Sequence, residues 1–90
     1  MGTARRSVLI VNKRGLHARA AAKFVKLAAT FDAEVTVCRS GTGVSGVSIM
    51  GLMMLAAGPG TELSVSACGE GAEMAVEALA RLVAAGFDED

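Results

Sequence analysis

Apolar residues recur along this chain with two periods, one strand-like and one helix-like, and the switches between them mark out its elements. From Arg6 to Val11 the chain is rich in Val, Leu and Ile and alternates weakly, which predicts a strand. Asn12 to Gly15 reads as a loop. An alanine-rich stretch from Ala18 to Thr30 then places Ala21, Phe24, Val25, Ala28 and Phe31 on one face, with Arg19, Lys23, Lys26 and Thr30 on another. That is an amphipathic helix lying on a sheet with its basic side in water. Ala33 to Cys38 alternates again, Val35 and Val37 pointing one way, Glu34, Thr36 and Cys38 the other. Ser40-Gly41 makes a turn into a short, glycine-weakened strand, Thr42 to Ser45, suited to a sheet edge. Gly46 to Ala57 reads as a short helix with Ser48 near its N-cap, stopped by Gly58-Pro59-Gly60. Glu62 to Cys68 alternates with Leu63, Val65 and Ala67 inward. After Gly69-Glu70-Gly71 a third helix runs to about Ala85, burying Ala72, Val76, Leu79 and Val83. Its wet side holds Glu70, Glu73, Glu77 and Arg81, the last two spaced for an i, i+4 pair, and Gly86 is a natural residue to end it.

The order β-α-β-β-α-β-α, with strands wet on one side, predicts an α+β fold with all helices on one face of the sheet. The expected architecture is an open-faced β-sandwich: four antiparallel strands in the order 1-4-2-3, three helices, and a single domain over residues 1–90. In that arrangement Cys38 and Cys68 fall at opposite ends of adjacent strands, about six residues or ~20 Å apart. A disulfide between them is then excluded.

Composition changes the picture in three places. Hydrophobic residues are 52% of the chain but aromatics only 3%, so the core must be aliphatic. The longest apolar run, Ile49 to Ala57, is too short to cross a bilayer and contains Gly51. The run Val8 to Val11 is too short for a secretory signal, and Arg6 stands where a myristoylation motif wants Ser or Thr, so the chain is expected in the cytoplasm. Two cysteines and one histidine show no ligand spacing, so no metal is expected and the thiols should be free. Net charge is zero, yet seven basic residues and no acid precede Asp32, while two basic and nine acidic residues occupy the remainder. The basic first third should attract acidic partners and speed encounter with them. No aromatic interleaves with those cations, and no nucleic-acid motif is present, so nucleic acid is not the expected partner.

The candidate chemistry lies in that basic third, at Gly15-Leu16-His17-Ala18-Arg19. His17 is the only histidine of the chain and opens the first helix. The first backbone N–H groups of a helix have no intrahelical partner and favour an anion. His17 is therefore expected to rest neutral and nucleophilic, with donors waiting for a phosphoryl group, and Arg19 adds a planar fork for phosphate oxygens. The plainer alternative is an ordinary surface or packing histidine.

The second helix is apolar almost all round. Leu52, Leu55 and Ala56 make one stripe, which leaves Ile49, Met50 and Met53 on another side. Either all are core, where methionine fills gaps well, or the second group is an exposed, adaptable docking patch. Ser48 serves as an N-cap, and as a phosphorylation site it would set a charge of about −2 beside that patch.

The stretches Asn12 to Phe24 and Ser48 to Ala57 together resemble HPr, the histidine-containing phosphocarrier of the phosphoenolpyruvate-dependent phosphotransferase system. The resemblance implies that His17 takes a phosphoryl group from phosphoenzyme I and passes it to an enzyme IIA, with Arg19 as phosphate partner. It implies Ser48 as target of a regulatory serine kinase/phosphorylase. It also implies Leu16, Lys23, Ile49, Met50 and Met53 as partner contacts. A carrier of this kind is no enzyme, needs no cofactor, inserts in no membrane, and is expected as a monomer. Ala20 departs from the family's proline after the arginine, with a small expected effect on stability and the transfer rate in question. Phe31 to Val35 and the tail Gly86 to Asp90 look more like the nitrogen-related branch than the sugar-uptake branch. The competing reading is a regulatory binding module switched at Ser48, with His17 idle; a small metal- or nucleic-acid-binding domain lacks the necessary residues.

Overall fold

The computed structural model describes residues 2–89. Its elements are β1 (Gly2–Leu9), α1 (Ala18–Ala28), β2 (Glu34–Arg39), β3 (Thr42–Ser45), α2 (Ile49–Met54), β4 (Glu62–Gly69) and α3 (Ala72–Ala84). A last turn, Gly86–Asp88, follows α3. The strands form one antiparallel sheet in the order β1-β4-β2-β3, the order expected from the sequence.

The alternation of the strands sorts their side chains. Val35 and Val37 of β2 and Leu63, Val65 and Ala67 of β4 are all buried beneath the helices. Alanines let the helices approach closely: Ala20, Ala21 and Ala28 of α1 and Ala72 and Ala75 of α3 are buried beside Phe24, Val76, Leu79 and Val83. The opposite face of the sheet is polar, and there Arg5 donates from Nε to the Ser64 hydroxyl at 2.9 Å.

Several expectations need correction. β1 begins at Gly2 rather than Arg6, because its first half pairs with the end of β4, Gly2 opposite Gly69 and Arg5 opposite Ser66. It ends at Leu9, although Ile10 still exchanges backbone hydrogen bonds with Thr61 and Gly60 at 2.9 and 2.8 Å. Glu77 does not pair with Arg81; it meets Arg6 at 2.9 Å. Arg6 shares the parity of Val8 and so rises on the helix side, where α3 packs over β1. Both partners are about half exposed, so the pair contributes at most about 1 kcal/mol. Finally, the register sets Glu34 opposite Cys68 and Cys38 opposite Ser64. The two cysteines are thus about four residues apart along the strands, or ~13 Å at ~3.3 Å per residue, rather than six. Both thiols are free.

Helix α1 stops at Ala28 and α2 is confined to Ile49–Met54, each shorter than the apolar periodicity predicts. The Ser48 hydroxyl accepts from the Gly51 N–H at 2.9 Å and caps α2, as expected. With no acidic side chain in its first turn, α2 leans on that cap. Ser48→Ala is expected to cost about 1 kcal/mol. A denaturant titration showing an unchanged midpoint would show that the cap is dispensable.

Candidate functional site

The site is built on the loop from Asn12 to Leu16. Its turn is closed by the Gly15 N–H donating to the Asn12 carbonyl at 3.1 Å. The Asn12 side chain, 7% exposed, donates from Nδ2 to the Gly15 carbonyl at 2.8 Å. Leu16 then donates its N–H to the Ala57 carbonyl at 2.8 Å, which ties the loop to the segment after α2. These bonds deliver His17 to the mouth of α1.

His17 is the N-cap residue of α1, extended at φ −80° and ψ 179°, and its side chain makes no capping hydrogen bond. The first intrahelical bond runs from the Ala21 N–H to the His17 carbonyl at 2.8 Å. The N–H groups of Ala18, Arg19 and Ala20 are therefore without intrahelical partners beside the ring. Ala20, at the position of the family's proline, is fully buried. The imidazole itself is largely sheltered, with 15% of its side-chain surface exposed.

What shelters it is an acid the sequence reading missed. The Glu89 carboxylate sits against the ring, its Oε2 in contact with His17 Nε2. Its other oxygen accepts from Asn12 Nδ2 at 2.9 Å. The tail reaches this position through a sharp turn: Gly86, Phe87 and Asp88 all have positive φ, at 63°, 57° and 61°. The Phe87 ring is wholly buried, and the Lys23 ammonium donates to the Phe87 carbonyl at 2.7 Å. Burial works to raise the pKa of the Glu89 carboxyl. Hydrogen bonds from Asn12 and His17, and the charges of His17 and Arg14, outweigh that and hold it below the ordinary value. The charged carboxylate therefore favours the docked tail. That contribution is complete above the ordinary carboxylate pKa and is lost as the pH falls through the lowered one.

Beside the carboxylate lies a cleft of about 390 Å³ lined by Lys13, Arg14, Arg19, Lys23, Asp88 and Glu89. Arg19 thus joins three other cations at the rim, and among the described residues it makes no side-chain hydrogen bond. No group of three or more metal-ligating side chains occurs among the described residues.

The other expected site residues divide. Ile49, Met50 and Met53 are 40%, 72% and 42% exposed, so the second side of α2 does face outward. Met54 and Val47, not singled out from the sequence, are exposed as well. Met54 lies four residues after Met50, a spacing that could have found it. Leu16 is not part of that surface; it is 7% exposed and packs into the core. Lys23 is half-buried and engaged with the tail. No helix among the described residues is long and apolar enough to cross a membrane.

An open-faced sandwich presenting one histidine at a helix mouth among cations has the form of a small phosphocarrier protein. The family described as "PTS HPr component phosphorylation site" matches residues 4–85, and the chain belongs to it: it is an HPr-family phosphocarrier of the phosphotransferase system. It is 49% identical to the phosphocarrier protein HPr of Pseudomonas putida, covering 93% of this chain and 94% of that one. It is 45% identical to the phosphocarrier protein NPr of Shewanella violacea, over 93% of this chain and 92% of that one. Among solved structures, HPr from Thermoanaerobacter tengcongensis superposes with a TM-score of 0.92 at 38% identity, covering 97% and 98% of the two chains.

Proposed function

We propose that His17 accepts a phosphoryl group from phosphoenzyme I on a ring nitrogen and passes it to an enzyme IIA. The observation that carries this reading is the position of the imidazole: it sits at the N-cap of α1, next to unpaired amides and a four-cation cleft. Developing negative charge on a phosphoryl group there meets donors already in place, which lowers the barrier without reorganisation. Arg19 is the phosphate partner, able to meet two oxygens at once with its planar fork. Lys13, Arg14 and Lys23 add positive potential at the same rim.

Both partners dock on one surface in this reading. Ile49, Met50 and Met53, with Met54, give an apolar patch of flexible side chains that adapts to two different proteins in turn. The basic α1 steers acidic partners toward it. A serine kinase acting at Ser48 would set a phosphate at the head of α2, beside Met50, and wet that patch.

The test is incubation with phosphoenolpyruvate and enzyme I, which should add one acid-labile phosphate. His17→Ala should abolish uptake while keeping the fold, since its ring is not part of the core. Phosphate on the alanine variant overturns the assignment. If partner capture instead responds to Ser48→Asp and ignores His17→Ala, the chain is a regulatory module switched at α2.

A further inference from the structure

Helix α2 has no basic side chain in its last turn, so nothing on the helix itself meets the carbonyls at its end. They are met from the sheet. Arg39 is the last residue of β2, followed at once by a tight turn in which Ser40 and Gly41 have φ 50° and 87°. It shares the parity of the buried Val35 and Val37, so it rises on the helix side. One nitrogen of its guanidinium, Nη1, donates to the Leu55 carbonyl at 2.7 Å and to the Ala56 carbonyl at 2.8 Å. The geometry points to Arg39 as a positioning residue for phosphoryl transfer: it fixes the strap after α2 on which the histidine loop is built. The proposal rests on His17 being the acceptor.

The two bonds fall on either side of one strained residue. Ala56 stands at φ 51°, a left-handed conformation that an L-residue holds only when its surroundings impose it. The Leu55 carbonyl belongs to the peptide plane before that Cα, and the Ala56 carbonyl to the plane after it. Arg39 grips both. Leu55 and Ala57 are buried on each side, so their side chains anchor the strap in the core. The freedom left is the tilt of the peptide planes between them, and Arg39 removes it.

That tilt matters because the strap carries the loop. The Ala57 carbonyl accepts from the N–H of Leu16, the residue before His17, at 2.8 Å. Strap and loop also touch closely, since a Cβ on Gly15 would lie 2.5 Å from the Ala57 carbonyl oxygen. A shift in the strap therefore passes into the His17 backbone. Arg39 does not act by charge pairing: it forms no ion pair among the described residues. The docking side of α2 has anchors of its own, the Ser48 cap and the fully buried Leu52. Loss of the clamp should thus misplace the acceptor and leave docking nearly as it was.

The test compares Arg39→Met and Arg39→Lys in the full chain. Methionine keeps an apolar stem and loses the donors. Hydrogen exchange followed by NMR should be about tenfold faster at the Leu16 amide in Arg39→Met, with the Val65 amide in the middle of the sheet unchanged. With phosphoenolpyruvate and enzyme I, kcat for phosphoryl uptake should fall by about tenfold to a hundredfold, while KM stays within about twofold. A role in stability alone would leave kcat unchanged below the melting transition. Both bonds leave a single nitrogen, so a lysine ammonium can make them, and Arg39→Lys should recover the Leu16 protection and most of the rate. Arg39→Met with unchanged Leu16 exchange and unchanged kcat overturns the inference and leaves the carrier reading intact. A rise in KM alone also overturns it and places Arg39 on the docking surface instead. Phosphate uptake by His17→Ala overturns the carrier reading, whatever the Leu16 amide does.

Discussion

Gly15→Ala is expected to disrupt the histidine loop more than any other single methyl group added there. Gly15 has φ +65°, where an L-residue is strained by about 1–2 kcal/mol. A Cβ at this position would lie 2.5 Å from the Ala57 carbonyl oxygen and 2.9 Å from the Gly58 Cα. Both are backbone atoms, so no rotamer change relieves the clash. Withdrawing Ala57 would stretch the hydrogen bond it accepts from Leu16, the tie between the loop and the segment after α2. Overpacking of this kind costs a further ~1–3 kcal/mol. A total of about 3 kcal/mol corresponds to a melting temperature lower by on the order of 15–20 °C in a domain of this size. Thermal unfolding followed by circular dichroism checks the value. A fall of under about 5 °C would show that the loop yields easily. Because the same bonds set the His17 backbone, phosphate uptake should drop even below the melting transition.

Phe87→Ala should be comparably severe for stability. Phe87 is the largest wholly buried side chain outside the regular elements, and its loss leaves a cavity under the last turn. Burying a phenylalanine ring and then deleting it typically costs about 3–5 kcal/mol. Its φ of 57° does not complicate the comparison, since alanine at the same angle bears similar backbone strain. The expected result is a lower denaturant midpoint with an unchanged slope. The anchor of Glu89 goes with it, so the His17 ring should become more accessible to water, visible as faster reaction with an imidazole-directed reagent. An unfolding free energy within about 0.5 kcal/mol of the unmodified protein would mean that the ring contributes little.

How legible these features are in the sequence follows from their range. The strands β2 and β4 announce themselves because Val35, Val37, Leu63, Val65 and Ala67 alternate with polar neighbours, and burial respects that parity. The buried stripe of α3 is equally plain. The first half of β1 is not: Gly2 to Arg5 holds only Ala4 as an inward apolar residue, and it is a strand because β4 pairs with it. The ion pair of Glu77 is misread for a related reason. Spacing along a helix shows Arg81, while Arg6 arrives from a strand 71 residues away. Glu89 is the extreme case, 72 residues from His17, with no period to reveal it. Its neighbours Gly86 and Phe87 carried the only available hints, a residue suited to positive φ and an isolated aromatic. The helix-mouth position of His17 was legible from local signals alone. The acid that faces its ring was not.

Sheet order has one more consequence, for how the chain is made. β4 is hydrogen-bonded to both β1 and β2, so neither pairing in the middle of the sheet exists until the segment ending at Gly69 has been synthesised. At about 5–20 residues per second, Val8, Ile10, Val35 and Val37 wait on the order of seconds for the strand that unites them. Translation that stalls before Glu62 leaves a nascent chain with β1 unpaired and β2 paired on one edge only, its apolar face open to a chaperone.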